Sequence, residues 1–204
     1  MAAPTTAKRV LHYLLFKGTV REGNYGTRVC TFLKKTIEER GNKATVIDPE
    51  VLDLPLLKKP LHFYQDRSQA PQVLHDVDKL IRDCDGFIFV SAEYNQSLPP
   101  ALTNTVDHFP PASFKHRPAG VCTYSMGRFA GVRAGVIIRA FLSEIGTLHI
   151  PATFSIGEVH KAFSEDGVPT EDRTKESAAR MLKELDWYAT AICDSKEKYG
   201  APST

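Results

Sequence analysis

The stretch Gly86-Phe87-Ile88-Phe89-Val90-Ser91-Ala92-Glu93-Tyr94-Asn95-Gln96-Ser97-Leu98-Pro99-Pro100-Ala101-Leu102-Thr103-Asn104-Thr105-Val106-Asp107 changes character twice. Its first part is a short run of aromatic and β-branched residues behind Asp85-Gly86, the pattern of a buried strand. A polar knot follows. Pro99 and Pro100 then open a helix, since a first turn has no use for the N–H that proline lacks. Glu93, Tyr94 and Asn95 therefore stand at the carboxyl end of a strand. Open α/β sheets bind their ligands at that edge.

The same alternation runs outward in both directions. Residues 9–16 are apolar enough for a first strand, and 44–48 make a short second one. Between them Val29, Phe32, Leu33 and Ile37 recur at helical spacing over residues 27–40, and Gly41 supplies a stop. Residues 49–70 hold several prolines and no sustained period, which predicts a surface loop. Val73, Leu74, Val77, Leu80 and Ile81 mark a further helix. Beyond the deciding stretch come a fourth strand (119–124), a helix (131–145) stopped by Gly146, and a fifth strand (148–156). Pro151 lacks a ladder donor, which a fifth strand lying at an edge would allow. Residues 158–170 are polar and read as a loop. The final helix, about 173 to 198, carries Met181, Leu182, Leu185, Tyr188, Ala189 and Ile192 on one face. Strands separated by helices predict an α/β fold, a five-stranded parallel sheet with helices on both faces. The 204 residues read as one domain, with residues 1–8 a frayed start.

Composition excludes more than it selects. The chain has 26 basic and 24 acidic residues, interspersed rather than blocked. That balance describes a mixed solvated surface and offers no stripe for nucleic acid. No apolar run is long enough to span a bilayer, and no signal peptide is present, so a reducing cytoplasmic setting is expected. Cys30, Cys84, Cys122 and Cys193 lack metal-ligand spacing and read as small buried thiols. The histidines are dispersed, and no metal site is expected.

Residues 91–107 resemble the Glu-Tyr-Asn-x-Ser-x-Pro…Leu-x-Asn-x-x-Asp signature of the NAD(P)H-dependent FMN reductase family, flavodoxin-like flavoenzymes that include quinone and azo-dye reductases. Asn104 and Asp107 match the helical part, and Ala92 stands where the family usually has proline. The resemblance implies a flavodoxin-like three-layer sandwich with strand order 2-1-3-4-5. Two further loops extend it. The first, Lys17-Gly18-Thr19-Val20-Arg21-Glu22-Gly23-Asn24-Tyr25-Gly26, runs from a strand into a helix N-terminus, where free N–H groups and the helix dipole favour an anion. It mimics a P-loop, but Asn24 and Tyr25 stand where a nucleotide hydrolase needs Lys and Ser/Thr. It is similar to the family's phosphate loop, with Thr19 for the usual serine and Gly26 for an asparagine. The third loop, Tyr124 to Ala134, resembles the family's Ser-x-Gly-x-x-Gly-x-Arg loop through Ser125, Gly127, Gly131 and Arg133. Thr123 and Met126-Gly127 break the Gly-x-Ser-x-Gly pattern, so Ser125 is not a hydrolase nucleophile.

The resemblance implies bound FMN with NAD(P)H as co-substrate. Thr19, Arg21, Asn24, Tyr25 and Gly26 would hold the phosphate. Glu93, Tyr94 and Asn95, with Ser125, Met126, Gly127, Arg128 and Gly131, would flank the ring. Tyr94 either stacks near the flavin or packs on the sheet edge. Arg133 either faces the flavin or pairs with a carboxylate, and Asn104 and Asp107 support their helix and a subunit contact. The cofactor carries the chemistry, so no catalytic side chain is nominated. The expected acceptor is a flat small molecule such as a quinone, an azo compound or free flavin, and the expected assembly is a homodimer or homotetramer. The competing reading is a flavodoxin-type electron carrier or a flavin-binding partner protein without turnover. Carriers of that type are markedly acidic, and this chain is not.

Overall fold

The computed structural model describes residues 9–202, and the expected frayed start at 1–8 lies outside the described residues. The element order is β1 (His12–Lys17), α1 (Gly26–Glu39), β2 (Lys43–Ile47), α2 (Pro49–Leu52), α3 (Gln72–Asp83), β3 (Gly86–Ala92), α4 (Pro100–Asp107), α5 (Pro111–Phe114), β4 (Pro118–Tyr124), α6 (Val132–Glu144), β5 (Leu148–Ile156), α7 (Val159–Ala162) and α8 (Asp172–Tyr199). The sheet order is β2-β1-β3-β4-β5, with every pairing parallel.

The inner strands β1, β3 and β4 are buried on both faces, which is why they read as continuous apolar runs, whereas the outer strands β2 and β5 are partly exposed. Tyr13, Leu15, Ile88, Val90 and Cys122 point into one core with α1 and α8. Leu14, Phe16, Phe87, Phe89 and Val121 point into the other with α3, α4 and α6. In the second core the Phe16 and Phe89 rings stack at 4.9 Å. Pro151 lies on the outer strand β5, and the register of β4 against β5 shifts between Ala119 and Val121, which absorbs the missing donor.

Helix α8 is pinned by more than its apolar face. Asp186 accepts from Tyr13 Oη (2.8 Å), Asn42 Nδ2 (3.0 Å) and Arg40 Nη2 (2.5 Å), joining the helix to β1 and the end of α1. Gly120 lets Met181 approach β4, since a Cβ there would lie 3.3 Å from its sulfur.

Two expectations change in detail. Residues 49–70 contain α2 and short 3-10 turns at Leu61–Phe63 and Arg67–Gln69. Residues 158–170 contain α7. Segments this short show no helical period; α2 and the Arg67–Gln69 turn are capped by the Asp48 and Asp66 side chains, and α7 and the Leu61–Phe63 turn have no side-chain cap.

Candidate functional site: three loops at the carboxyl edge

β1, β3 and β4 are neighbours in the sheet, so the loops that leave their carboxyl ends share one rim. The first loop begins where Gly18 N–H donates to Val90 O at 2.8 Å. A Cβ at Gly18 would sit 2.7 Å from that oxygen, so only glycine lets this turn press against β3. Asn24 closes the loop. Its Nδ2 donates to Arg21 O at 2.8 Å, and its Oδ1 accepts from Thr27 N at 3.3 Å. Tyr25 occupies the N-cap without a side-chain hydrogen bond, and its ring lies under the Arg28 guanidinium. The first turn of α1 carries no acidic residue, so its positive end is uncompensated. Gly26 opens the helix. A Cβ there would meet Tyr124 Oη at 2.6 Å, Thr19 Cγ2 at 3.0 Å and Asn24 Oδ1 at 3.2 Å.

The second loop is a tight reversal. Tyr94 N and Ser97 N each donate to the other's carbonyl, at 3.0 and 2.9 Å, and the residues between them are left-handed, Asn95 with φ 51 and Gln96 with φ 63. Asn tolerates this conformation; Gln does so at a cost of about 1–2 kcal/mol, and such strain concentrates at ligand sites. Tyr94 does not project away from the first loop. Its hydroxyl meets Thr19 Oγ1 at 2.5 Å, and the Arg21 guanidinium lies 3.6 Å above its ring. An open groove of about 520 Å³ runs beside this stack, lined among others by Thr19, Arg21, Tyr94, Asn95, Ser97 and Leu98.

The third loop is held from below by the β5 end. Ser125 N donates to Ile156 O, Glu158 N to Gly127 O and Val159 N to Ser125 O. The Ser125 hydroxyl donates to Gly127 O at 2.7 Å. Met126, Gly127, Arg128 and Phe129 are exposed at the rim. Gly131 is left-handed (φ 71), and a Cβ on it would meet Tyr124 O at 2.9 Å.

Glu93 joins the second loop to the third. Its carboxylate accepts from Arg133 N (3.0 Å), Ala134 N (3.4 Å) and Arg133 Nη1 (3.1 Å). It thus caps α6 from the end of a neighbouring strand, and Arg133 pairs with this loop carboxylate rather than with one on its own helix surface. The first and second loops meet through Tyr94, and the first and third through Gly26 and Tyr124. All the residues nominated from sequence fall on this one rim. Asn104 lies apart: it accepts from Leu57 N (2.8 Å) and donates to Pro55 O (3.0 Å), pinning the segment that follows α2. Sequence reasoning missed Gln96, whose residue type gives no turn signal, and Tyr124, which reads as the last apolar residue of a strand.

A family model for NADPH-dependent FMN reductase matches residues 11–161. That span takes in all five strands and all three loops. The chain belongs to the NADPH-dependent FMN reductase family. Family membership makes it a flavoprotein oxidoreductase that uses FMN and draws on NAD(P)H, which favours the enzyme over the electron carrier. It is 28% identical over 184 residues to the NAD(P)H:quinone oxidoreductase of Solanum tuberosum, covering 86% of this chain and 91% of that protein. It is 24% identical over 157 residues to the NADPH azoreductase of Bacillus sp. (strain OY1-2), covering 77% of this chain and 86% of the relative. The solved structure of the flavoenzyme NAD(P)H:(acceptor) oxidoreductase from Paracoccus denitrificans has the same fold, with a TM-score of 0.67 and 24% identity over 94% of this chain and 100% of that one.

The reductase chain's own residues fit an FMN. The helix N-terminus begins with a glycine against which Tyr124, Thr19 and Asn24 pack too closely for any Cβ, the buried Tyr124 hydroxyl there has no partner among the described residues, and no carboxylate in that first turn repels a phosphate. Among the described residues no helix is long and apolar enough to cross a membrane. No cluster of three His, Cys, Asp or Glu positioned for a metal occurs among them either.

The four cysteines are free. Burial pushes the thiols of Cys30 and Cys84 up to about 12 and raises that of Cys122. Cys193, which donates to Asp85, rises to about 11, chiefly through burial. At about pH 8 almost no thiolate is present, so a thiol reagent should label the native protein slowly and all four sites rapidly in denaturant. Fast stoichiometric labelling of the native protein contradicts this.

Proposed function

We propose that the chain passes reducing equivalents from NAD(P)H through bound FMN to a flat acceptor such as a quinone, an azo compound or free flavin. The observation that carries the residue assignment is the convergence of three loops on the carboxyl edge of β1, β3 and β4, hydrogen-bonded through Tyr94 and Glu93 and packed together where Tyr124 meets Gly26. FMN, when bound, would supply the redox chemistry between NAD(P)H and the acceptor, and the protein's part is to bind it, orient it and shield it.

In this reading the first turn of α1, with Thr19, Asn24, Tyr25 and Gly26, takes the phosphate, and Arg21 adds a permanent charge. Thr19 is buried and already engaged by Tyr94, so Tyr94 holds the hydroxyl in place and, with Arg21 stacked on it, closes one side of the phosphate loop. The Tyr94–Ser97 turn and the backbone of Ser125, Met126, Gly127, Arg128 and Gly131 flank the ring. Arg128 makes no ion pair among the described residues and is free to face negative charge at that edge. The Ser125 hydroxyl is committed to Gly127 O and activates nothing.

The same reading takes residues 1–204 as one flavodoxin-like unit, with α8 outside the site, working in the cytoplasm as a homodimer or homotetramer. Support for assembly comes from large apolar side chains left exposed, Phe129 in the third loop and Val132, Val136 and Ile137 on α6. Light scattering at low concentration is expected to give at least twice the mass of one chain, and a clean monomer removes this part.

The redox assignment is tested by mixing FMN-loaded protein with NADPH without acceptor, in the absence of oxygen. Flavin absorbance should bleach within seconds and return when a quinone is added. Absorbance that stays unchanged for minutes overturns the assignment.

A further inference from the structure

We infer that Tyr124 is the residue that makes this site select a phosphorylated flavin, by donating its hydroxyl to the FMN phosphate at the N-terminus of α1. The inference rests on the flavin reading above and deepens it.

Tyr124 is the last residue of β4, and its ring turns toward the core shared with α1 and α8. The side chain is only 4% exposed, yet its Oη has no hydrogen-bond partner among the described residues. Buried hydroxyls in folded proteins almost always have a partner, and leaving one without is costly. The orphaned group is also not deep in the sheet. It lies 2.6 Å from where a Cβ on Gly26 would stand. In a helix that bond points back toward the N-terminus, so the hydroxyl sits beside the open end of α1.

Its polar neighbours are engaged elsewhere. Thr19 Oγ1 meets Tyr94 Oη and accepts from Arg21 N, and Asn24 Oδ1 accepts from Thr27 N and Thr27 Oγ1. Neither bonds to Tyr124 Oη. The titratable groups that bear on its phenol are Cys30 on α1, Tyr94 on the second loop and Cys122 on β4, none of them a carboxylate. Burial raises the phenol further, so it stays protonated and can only be useful as a donor. A donor without a partner, at an uncompensated helix N-terminus and behind a glycine, suits a phosphate dianion. Riboflavin offers no oxygen of that charge.

The experiment compares FMN and riboflavin binding to wild type and Tyr124→Phe, by quenching of flavin fluorescence. The variant keeps the ring and loses only the hydroxyl. FMN affinity should fall about tenfold, the ordinary value of one hydrogen bond to a charged group. Riboflavin affinity should stay the same. The apo variant should melt at a higher temperature than apo wild type, because an unsatisfied hydroxyl has been removed from the interior. The phosphorus NMR resonance of bound FMN should move as well.

An unchanged FMN affinity means the hydroxyl is satisfied by an interior water, and the inference fails. Equal weakening of both flavins means that the ring alone matters, and the inference fails again. Wild-type protein that binds neither flavin instead removes the functional reading on which the inference stands. Wild-type protein that binds both flavins equally leaves that reading intact and overturns only the role given to Tyr124.

Discussion

FMN should wash out of a Gly26→Ala protein that is otherwise folded. The new methyl group would stand 2.6 Å from Tyr124 Oη, 3.0 Å from Thr19 Cγ2 and 3.2 Å from Asn24 Oδ1. None of the three retreats easily. The Tyr124 ring is packed in the core, Thr19 is buried and hydrogen-bonded to Tyr94, and Asn24 closes the first loop onto Arg21 O. Over-packing of this kind costs about 1–3 kcal/mol. The strain is relieved by moving the loop, and the loop is the phosphate site, so FMN affinity is expected to fall about 100-fold, or about 2.7 kcal/mol. Helix propensity pulls the other way, since alanine is favoured over glycine by about 1 kcal/mol inside a helix. That opposition makes the variant decisive. If the first loop were an ordinary surface turn, Gly26→Ala would change stability alone and flavin titration would show no change.

The sheet was legible because of where its strands lie. Residues 86–92 are buried on both faces, so the run is apolar without interruption, and the neighbouring glycine and prolines mark its ends. Pro151 is tolerated in β5 for the reason its sequence suggested, because β5 is an edge strand and a ladder donor is missing there. Short helices were illegible for the opposite reason. α2 and α7 have four residues each and so no period to detect. At the site, the backbone features were readable. Gly18, Gly26 and Gly131 each stand where a Cβ would strike backbone or a fixed side chain. The partnerships between side chains were not. Nothing local in the sequence says that Glu93 caps a helix beginning at Val132, or that Tyr94 reaches back to Thr19, because both contacts depend on strand order. Gln96 was missed because its left-handed backbone is imposed by the two hydrogen bonds between Tyr94 and Ser97, not by its residue type.

Glu93→Ala should uncouple the second loop from the third and reduce both FMN affinity and turnover. The carboxylate is the acceptor for two backbone N–H groups at the start of α6 as well as for the Arg133 side chain. The two kinds of contact differ in worth. Glu93 is 12% exposed and Arg133 45%, so the ion pair itself is partly screened and contributes about 0–1 kcal/mol. Capping of a helix N-terminus contributes about 1 kcal/mol, and hydrogen bonds to a charged acceptor about 1.5–3 kcal/mol. The backbone contacts therefore dominate. Gly131, the N-cap residue, offers no side-chain acceptor to replace them. The expected order of FMN affinity is wild type, then Arg133→Ala with a loss below about fivefold, then Glu93→Ala with a loss of about 10- to 100-fold. Glu93→Gln keeps one acceptor oxygen for the N–H groups and should fall between the last two. In a double-mutant cycle the coupling between Glu93 and Arg133 should stay under about 1 kcal/mol. Were Arg133→Ala as damaging as Glu93→Ala, the ion pair rather than the helix cap would be joining the two loops.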